Sequence, residues 1–170
     1  MTRRSTKERG EGFFRRDWPY WAIFERMCRA NRYAVKKVGD SQTTYFIFYP
    51  EALAETVGTT SSEFYFRHDG TELLLRFQLI PATADDQVAR DRLLSNRGAF
   101  SAVPSGVPTR VTSRAKAHVG LVDRRIRFDP GTVTDSQLGA VIEALFRRDV
   151  VPFVDAVSKV VQETLDTAKG

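Results

Sequence analysis

Residues of the types that most often carry chemistry are sparse in this chain of 170 residues. Its only two histidines, His68 and His118, have no second imidazole and no cysteine at ligand spacing, so a transition-metal site finds no donor set. The single cysteine, Cys28, excludes an internal disulfide and a multi-cysteine zinc site, and its apolar neighbours mark it as a core thiol rather than a nucleophile. Asp85-Asp86 offers adjacent carboxylates of the kind that hold magnesium, but at a helix start such acids serve the cap and the helix dipole. There is no glycine-rich phosphate loop and no Gly-x-Ser-x-Gly elbow. Glu72 is followed by Leu-Leu-Leu-Arg, not by the clustered carboxylates and lysine of a nuclease. These residues give catalysis no positive support and imply no cofactor and no metal.

Charge supplies the one pattern that points outward. The formal net charge is +5, concentrated in two places: residues 1–16 carry +4 and residues 110–127 carry +5. Within the second stretch Arg110, Arg114, Lys116 and His118 alternate with small or apolar residues, as on one face of a strand. A return strand would add Arg125 and Arg127 to that face. Like charges so close repel, and an acidic partner would compensate them, a protein surface or a phosphate backbone included. A solvated face, or one covered by the acidic helix near residues 83–92, accounts for the same stripe without a partner. Aromatic interleaving of the kind that stacks bases is missing from it.

These residues must be positioned by an α+β domain. Residues 1–12 read as a basic tail with too few apolar groups to pack, and 13–170 as one domain. A first helix runs from Asp17 to about Ala30, with Pro19 in its first turn and Trp21, Ile23, Phe24, Met27 and Cys28 on its apolar side. The segment TTYFIFYP is a strand, apolar on both faces, ended by Pro50, and EALAETVG a short helical turn. Around Asp69-Gly70 a two-residue turn predicts a hairpin that pairs Arg67 with Glu72, Phe66 with Leu73 and Glu63 with Arg76. One face then carries Phe64, Phe66, Leu73, Leu75, Phe77 and Leu79, and His68 and Asp69 belong to the turn. ADDQVARDRLLSNRG reads as a second helix with Val88, Leu93 and Leu94 inward, and SAVPSGVP as a loop. A second hairpin is expected to turn at Asp123-Arg124, placing Leu121 opposite Ile126. The last helix starts at the capping box Thr134–Gln137, with Val133 and Leu138 as its staple, and Pro152 should break or kink it near Asp149–Val151. The expected order is α-β-ββ-α-ββ-α: an antiparallel sheet of two hairpins plus one strand, packed against helices.

The segments RDRLLSNRGAF and VTDSQLGAVIEALFRRDVVPFVDAV, with this element order, resemble the YbjN family, whose fold is like that of type III secretion chaperones. The resemblance implies a small non-catalytic protein that holds protein partners. The basic tail and basic hairpin depart from the family's acidic or neutral character. Some domains attached to restriction-type nucleases share a similar element order and a strand like SRAKAHVGL. The expectation is therefore a cytoplasmic protein-binding module, able to form a homodimer and not membrane-bound, with nucleic-acid binding through the basic face as the alternative.

Overall fold

The structure is a computed structural model that describes residues 19–39, 44–53, 62–68, 72–79, 84–109, 119–127 and 135–167. It is α+β. Helix α1 (Pro19–Ala30) leads into β1 (Tyr33–Gly39), β2 (Thr44–Pro50), β3 (Ser62–His68) and β4 (Glu72–Leu79). Helix α2 (Ala84–Ser95) and a 3₁₀ turn (Arg97–Ala102) precede β5 (Val107–Pro108) and β6 (Val119–Arg127). Helix α3 (Asp135–Leu145), a π-helical turn (Phe146–Val150) and helix α4 (Val151–Thr167) complete the order. The described strands form one antiparallel sheet in the order β1-β2-β3-β4-β6-β5.

One face of that sheet carries the core. Phe48, Leu75, Phe77, Val122 and Ile126 are buried in a single cluster with Phe24 and Cys28 of α1, Leu93 of α2, and Phe146, Phe153, Val154 and Val157 of the C-terminal helices. Phe24 ties three elements together, edge-on to Phe48 at 5.4 Å and to Phe146 at 5.0 Å between ring centres. Phe77 lies 6.0 Å from Phe100, which brings the 3₁₀ turn onto the sheet. Such pairs add about 0.5–1.5 kcal/mol beyond their burial.

Several sequence expectations meet a different geometry. Tyr33–Gly39 is a strand that periodicity missed, because the adjacent Lys36-Lys37 breaks the alternation; Tyr33 turns inward and Lys36 is exposed. In the β3–β4 pair the register joins Phe66 to Leu75 and Tyr65 to Arg76, two residues from the two-residue-turn register. A shift of two preserves every face, so Leu75 and Phe77 remain in the core, but Glu63 now aligns with Gln78. Arg76 finds its acid on the other neighbour, β6. The turn Asp69-Gly70 itself lies outside the described residues. In α2, Leu93 is fully buried, but Val88 is 50% exposed and not part of the stripe expected of it.

The second hairpin needs the largest correction. Asp123-Arg124 is not a turn; β6 runs straight through it, with Arg76 opposite Asp123 and Leu75 opposite Arg124. Three consecutive charges imitate a turn, but each of the first two meets its counter-charge on its own side of the sheet. At the C-terminal end Pro152 does not stop the helix. The chain widens into a π turn just before it, and Val151 N donates to Phe146 O, five residues back. That wider turn relieves the clash proline makes with the carbonyl four residues earlier.

Two measurements follow from this core. Phe77→Ala removes a fully buried ring under the 3₁₀ turn and should cost about 3–5 kcal/mol in urea unfolding. The second concerns alkaline pH. Burial, aided by the Glu25 carboxylate and opposed by Arg29, pushes the Cys28 thiol far up; burial, aided by Asp155, does the same to the Tyr33 phenol. The unfolded chain loses these protons first, near about pH 8.5 and about pH 10. Their contribution is therefore complete below those values and is lost as pH rises through the higher folded values. The urea midpoint should drop between neutral pH and pH of about 10.5, and the drop should be smaller in Cys28→Ala/Tyr33→Phe.

Candidate functional site

Two charged constellations lie on opposite faces of β6. Alternation along the strand turns Val122, Arg124 and Ile126 toward the helices, and Asp123, Arg125 and Arg127 away from them. On the inner side Arg124 Nη2 donates to Asp149 Oδ1 at 2.5 Å and Nη1 to the Asp149 carbonyl at 3.3 Å. Arg148 Nε donates to the other carboxylate oxygen at 2.9 Å. Asp149 sits in the π turn with its side chain 5% exposed, and Arg124 is nearly as enclosed. Every strong polar group here is engaged within the protein. The cluster fastens the sheet to the helix junction.

On the outer side Arg76 holds Asp123 with a two-pronged bond, Nε to Oδ1 and Nη2 to Oδ2, both 2.8 Å. Beside this pair the segment from Val103 to Thr109 closes over the end of the sheet. Gly106 N donates to Val103 O at 2.9 Å, and Ser105 takes a left-handed backbone with φ of 55°. At Gly106 a Cβ would lie 2.8 Å from Val122 Cγ2, so only glycine lets the segment come this close. Thr109 N then donates to Leu121 O, beginning the β5–β6 edge. Between this segment and the strands lies a concavity of about 520 Å³, lined by Arg76, Asp123, Arg125, Ser105, Val107, Pro108 and Thr109. Val107 is 66% exposed. Thr109 Oγ1 is buried without a hydrogen-bond partner.

Of the residues that sequence reasoning assigned to an anionic partner, Arg125 and Arg127 are exposed on the outer face of β6, in the same strand as Asp123 rather than on a return strand. Arg110, Arg114, Lys116 and His118 lie outside the described residues. Sequence reasoning missed Arg76, Asp123, Val107 and Thr109 as site residues. Arg76 was matched to Glu63 and Asp123 assigned to a turn; the pairing of β4 with β6, which joins them, leaves no local signal.

Other sites offer less. A groove of about 780 Å³ runs between α2 and α4, lined by Val88, Ala99 and Val160 and rimmed by Asp91, Arg92 and Glu163. Cys28 is buried with its thiol held protonated, which removes the nucleophilic thiolate. Among the described residues no group of three or more His, Cys, Asp or Glu could hold a metal ion. No described helix is long and apolar enough to cross a membrane. Compared with known proteins, the chain matches no family model, no curated protein and no solved structure.

The two arginine–aspartate pairs should differ in weight. Arg124→Met leaves a buried carboxylate with one exposed partner and should cost about 3 kcal/mol in urea unfolding. Arg76→Met, at a half-exposed pair, should cost about 1 kcal/mol. Arg124→Met/Asp149→Leu should recover most of the first loss, since an apolar pair replaces a buried ionic one at little cost.

Proposed function

We propose that the protein is a non-catalytic, chaperone-like protein-binding module that receives its partner on the outer face of the sheet at β4, β6 and β5. The observation that carries this reading is the concavity of about 520 Å³ on that face, with exposed Val107 and Arg125 in its lining, while the described helices share one core on the opposite face. A mixed apolar and charged concavity on a sheet braced from behind suits recognition of a chain segment. Its polar groups make no nucleophile–base arrangement. The YbjN likeness, with its non-catalytic protein-holding role, favours the same reading.

A photo-crosslinking residue placed at position 107 should capture protein from native lysate, while one at exposed Gln162 on α4 should not. Equal capture at both positions, or none at 107, refutes the outer face as the docking surface.

Nucleic-acid binding is the second reading, favoured by the exposed Arg125 and Arg127 next to a stretch rich in arginine and lysine. It requires affinity for an oligonucleotide to fall steeply with salt, and Arg114→Glu/Lys116→Glu to weaken it. An affinity that ignores both salt and these substitutions rejects it.

A further inference from the structure

We propose that the groove between α2 and α4 is a contact between two copies of this chain, related by a two-fold axis that crosses α2 between Asp91 and Arg92. The groove belongs to the helices and not to the outer face of the sheet, so the contact is independent of the docking reading above.

Three features of the groove carry it. The first is spacing. Val88, Asp91, Arg92 and Ser95 are the residues of α2 that line the groove together with Ala99 and Val160. On a helix, positions i, i+3, i+4 and i+7 make a single stripe. The intervals of this stripe read the same in both directions. When two such stripes lie antiparallel about the axis, Arg92 faces Asp91 of the partner subunit, and Val88 faces the partner's Ser95. Symmetry repeats each pairing, as an isologous interface requires.

The second is charge. The two central positions carry opposite signs, so antiparallel copies attract at both crossings, whereas parallel copies would set like charge against like. Arg90 donates to Asp91 through Nε at 3.2 Å and Nη2 at 3.1 Å, but both bonds end on Oδ1. The second oxygen, Oδ2, is left to accept from another guanidinium, and the Asp91 side chain is 65% exposed. Arg92 is exposed too, and no acid among the described residues pairs with it. The third is shape. Val88, 50% exposed, stands on α2 beside the apolar lining of Ala99 and Val160. The two-fold axis carries each Val88 into the other copy's groove of about 780 Å³, where its exposed surface leaves water. An unrelated apolar helix would match only the third feature; a second copy matches all three.

The test is sedimentation equilibrium of the full-length chain from about 5 to about 200 μM, a range suited to a small, partly polar contact. The chain should show a reversible monomer–dimer equilibrium. Asp91→Arg and Arg92→Asp each turn two attractions into repulsions and should weaken the dimer about tenfold or more. An equimolar mixture of these two variants should associate again, because one copy then presents two arginines and the other two aspartates. Val88→Glu, at a position outside the core, should weaken the dimer by a similar factor. Arg147→Gln, at an exposed arginine of the π turn, should leave it unchanged. A chain that stays monomeric at about 200 μM overturns the inference, as does a dimer that these substitutions leave intact. Failure of the mixed variants to associate also overturns it, since an effect on folding alone gives no recovery on mixing.

Discussion

Arg124 and Asp149 form the bond on which the arrangement of this protein depends. A guanidinium on the core side of a strand is costly unless a carboxylate meets it, and Asp149 comes from the π turn between α3 and α4, 25 residues away in sequence. The widened turn and the ion pair therefore specify each other. The pair fixes how far the helix junction sits along β6, and Phe146, Val150 and Phe153 on either side of it are fully buried in consequence. Stability comes mainly from those apolar groups; the buried charges contribute position. An apolar pair in their place would fit many offsets, whereas a fork of donors fits one.

From that anchored side strand pairing carries the order across the sheet. β4 and β6 pair along nearly their whole lengths, with one irregularity at Phe77/Gln78. Leu121 and Val122 are both buried at this point, which means the strict alternation of β6 is interrupted just where the Val103–Thr109 segment crosses it. The sheet's edges are blunted in different ways. β1 presents exposed Lys36, a charge that opposes pairing with another strand. β5 is only two residues long and ends in proline, which has no amide hydrogen to offer. Both edges thus offer little to a further strand.

How much of this was legible in the sequence depended on whether a residue's partner was local. The C-terminal stripe from Ile142 to Leu165 was read correctly because helical spacing alone declares it, and it is buried as expected. The faces of β4 were right even though its pairing was two residues out, since period-two patterning fixes parity and not register. Failures cluster where a long-range charge pair replaces alternation. Asp123-Arg124 read as a turn because neither Arg76 nor Asp149 lies near it in the chain. β1 was missed because Lys36-Lys37 hid a strand that β2 makes evident by pairing with all of it. Of the concavity's lining, sequence reasoning singled out Arg125, through alternation along an expected return strand. The concavity was invisible, because it exists only where β5 folds back over β6.

The same contrast bears on what kind of function the molecule can support. Catalysis needs groups held near their targets but left available, with their protonation tuned by the surroundings. Here the most enclosed ionic groups are consumed in holding the fold: Asp149 accepts from two arginines, and Arg124 spends its donors on one residue. The enclosed thiol is kept protonated by its burial. What faces outward is a patch of guanidinium, carboxylate and short apolar side chains on paired strands. Among the described residues the enclosed charges thus set the position of one element on another, and the exposed ones stand on the outer face of the paired strands.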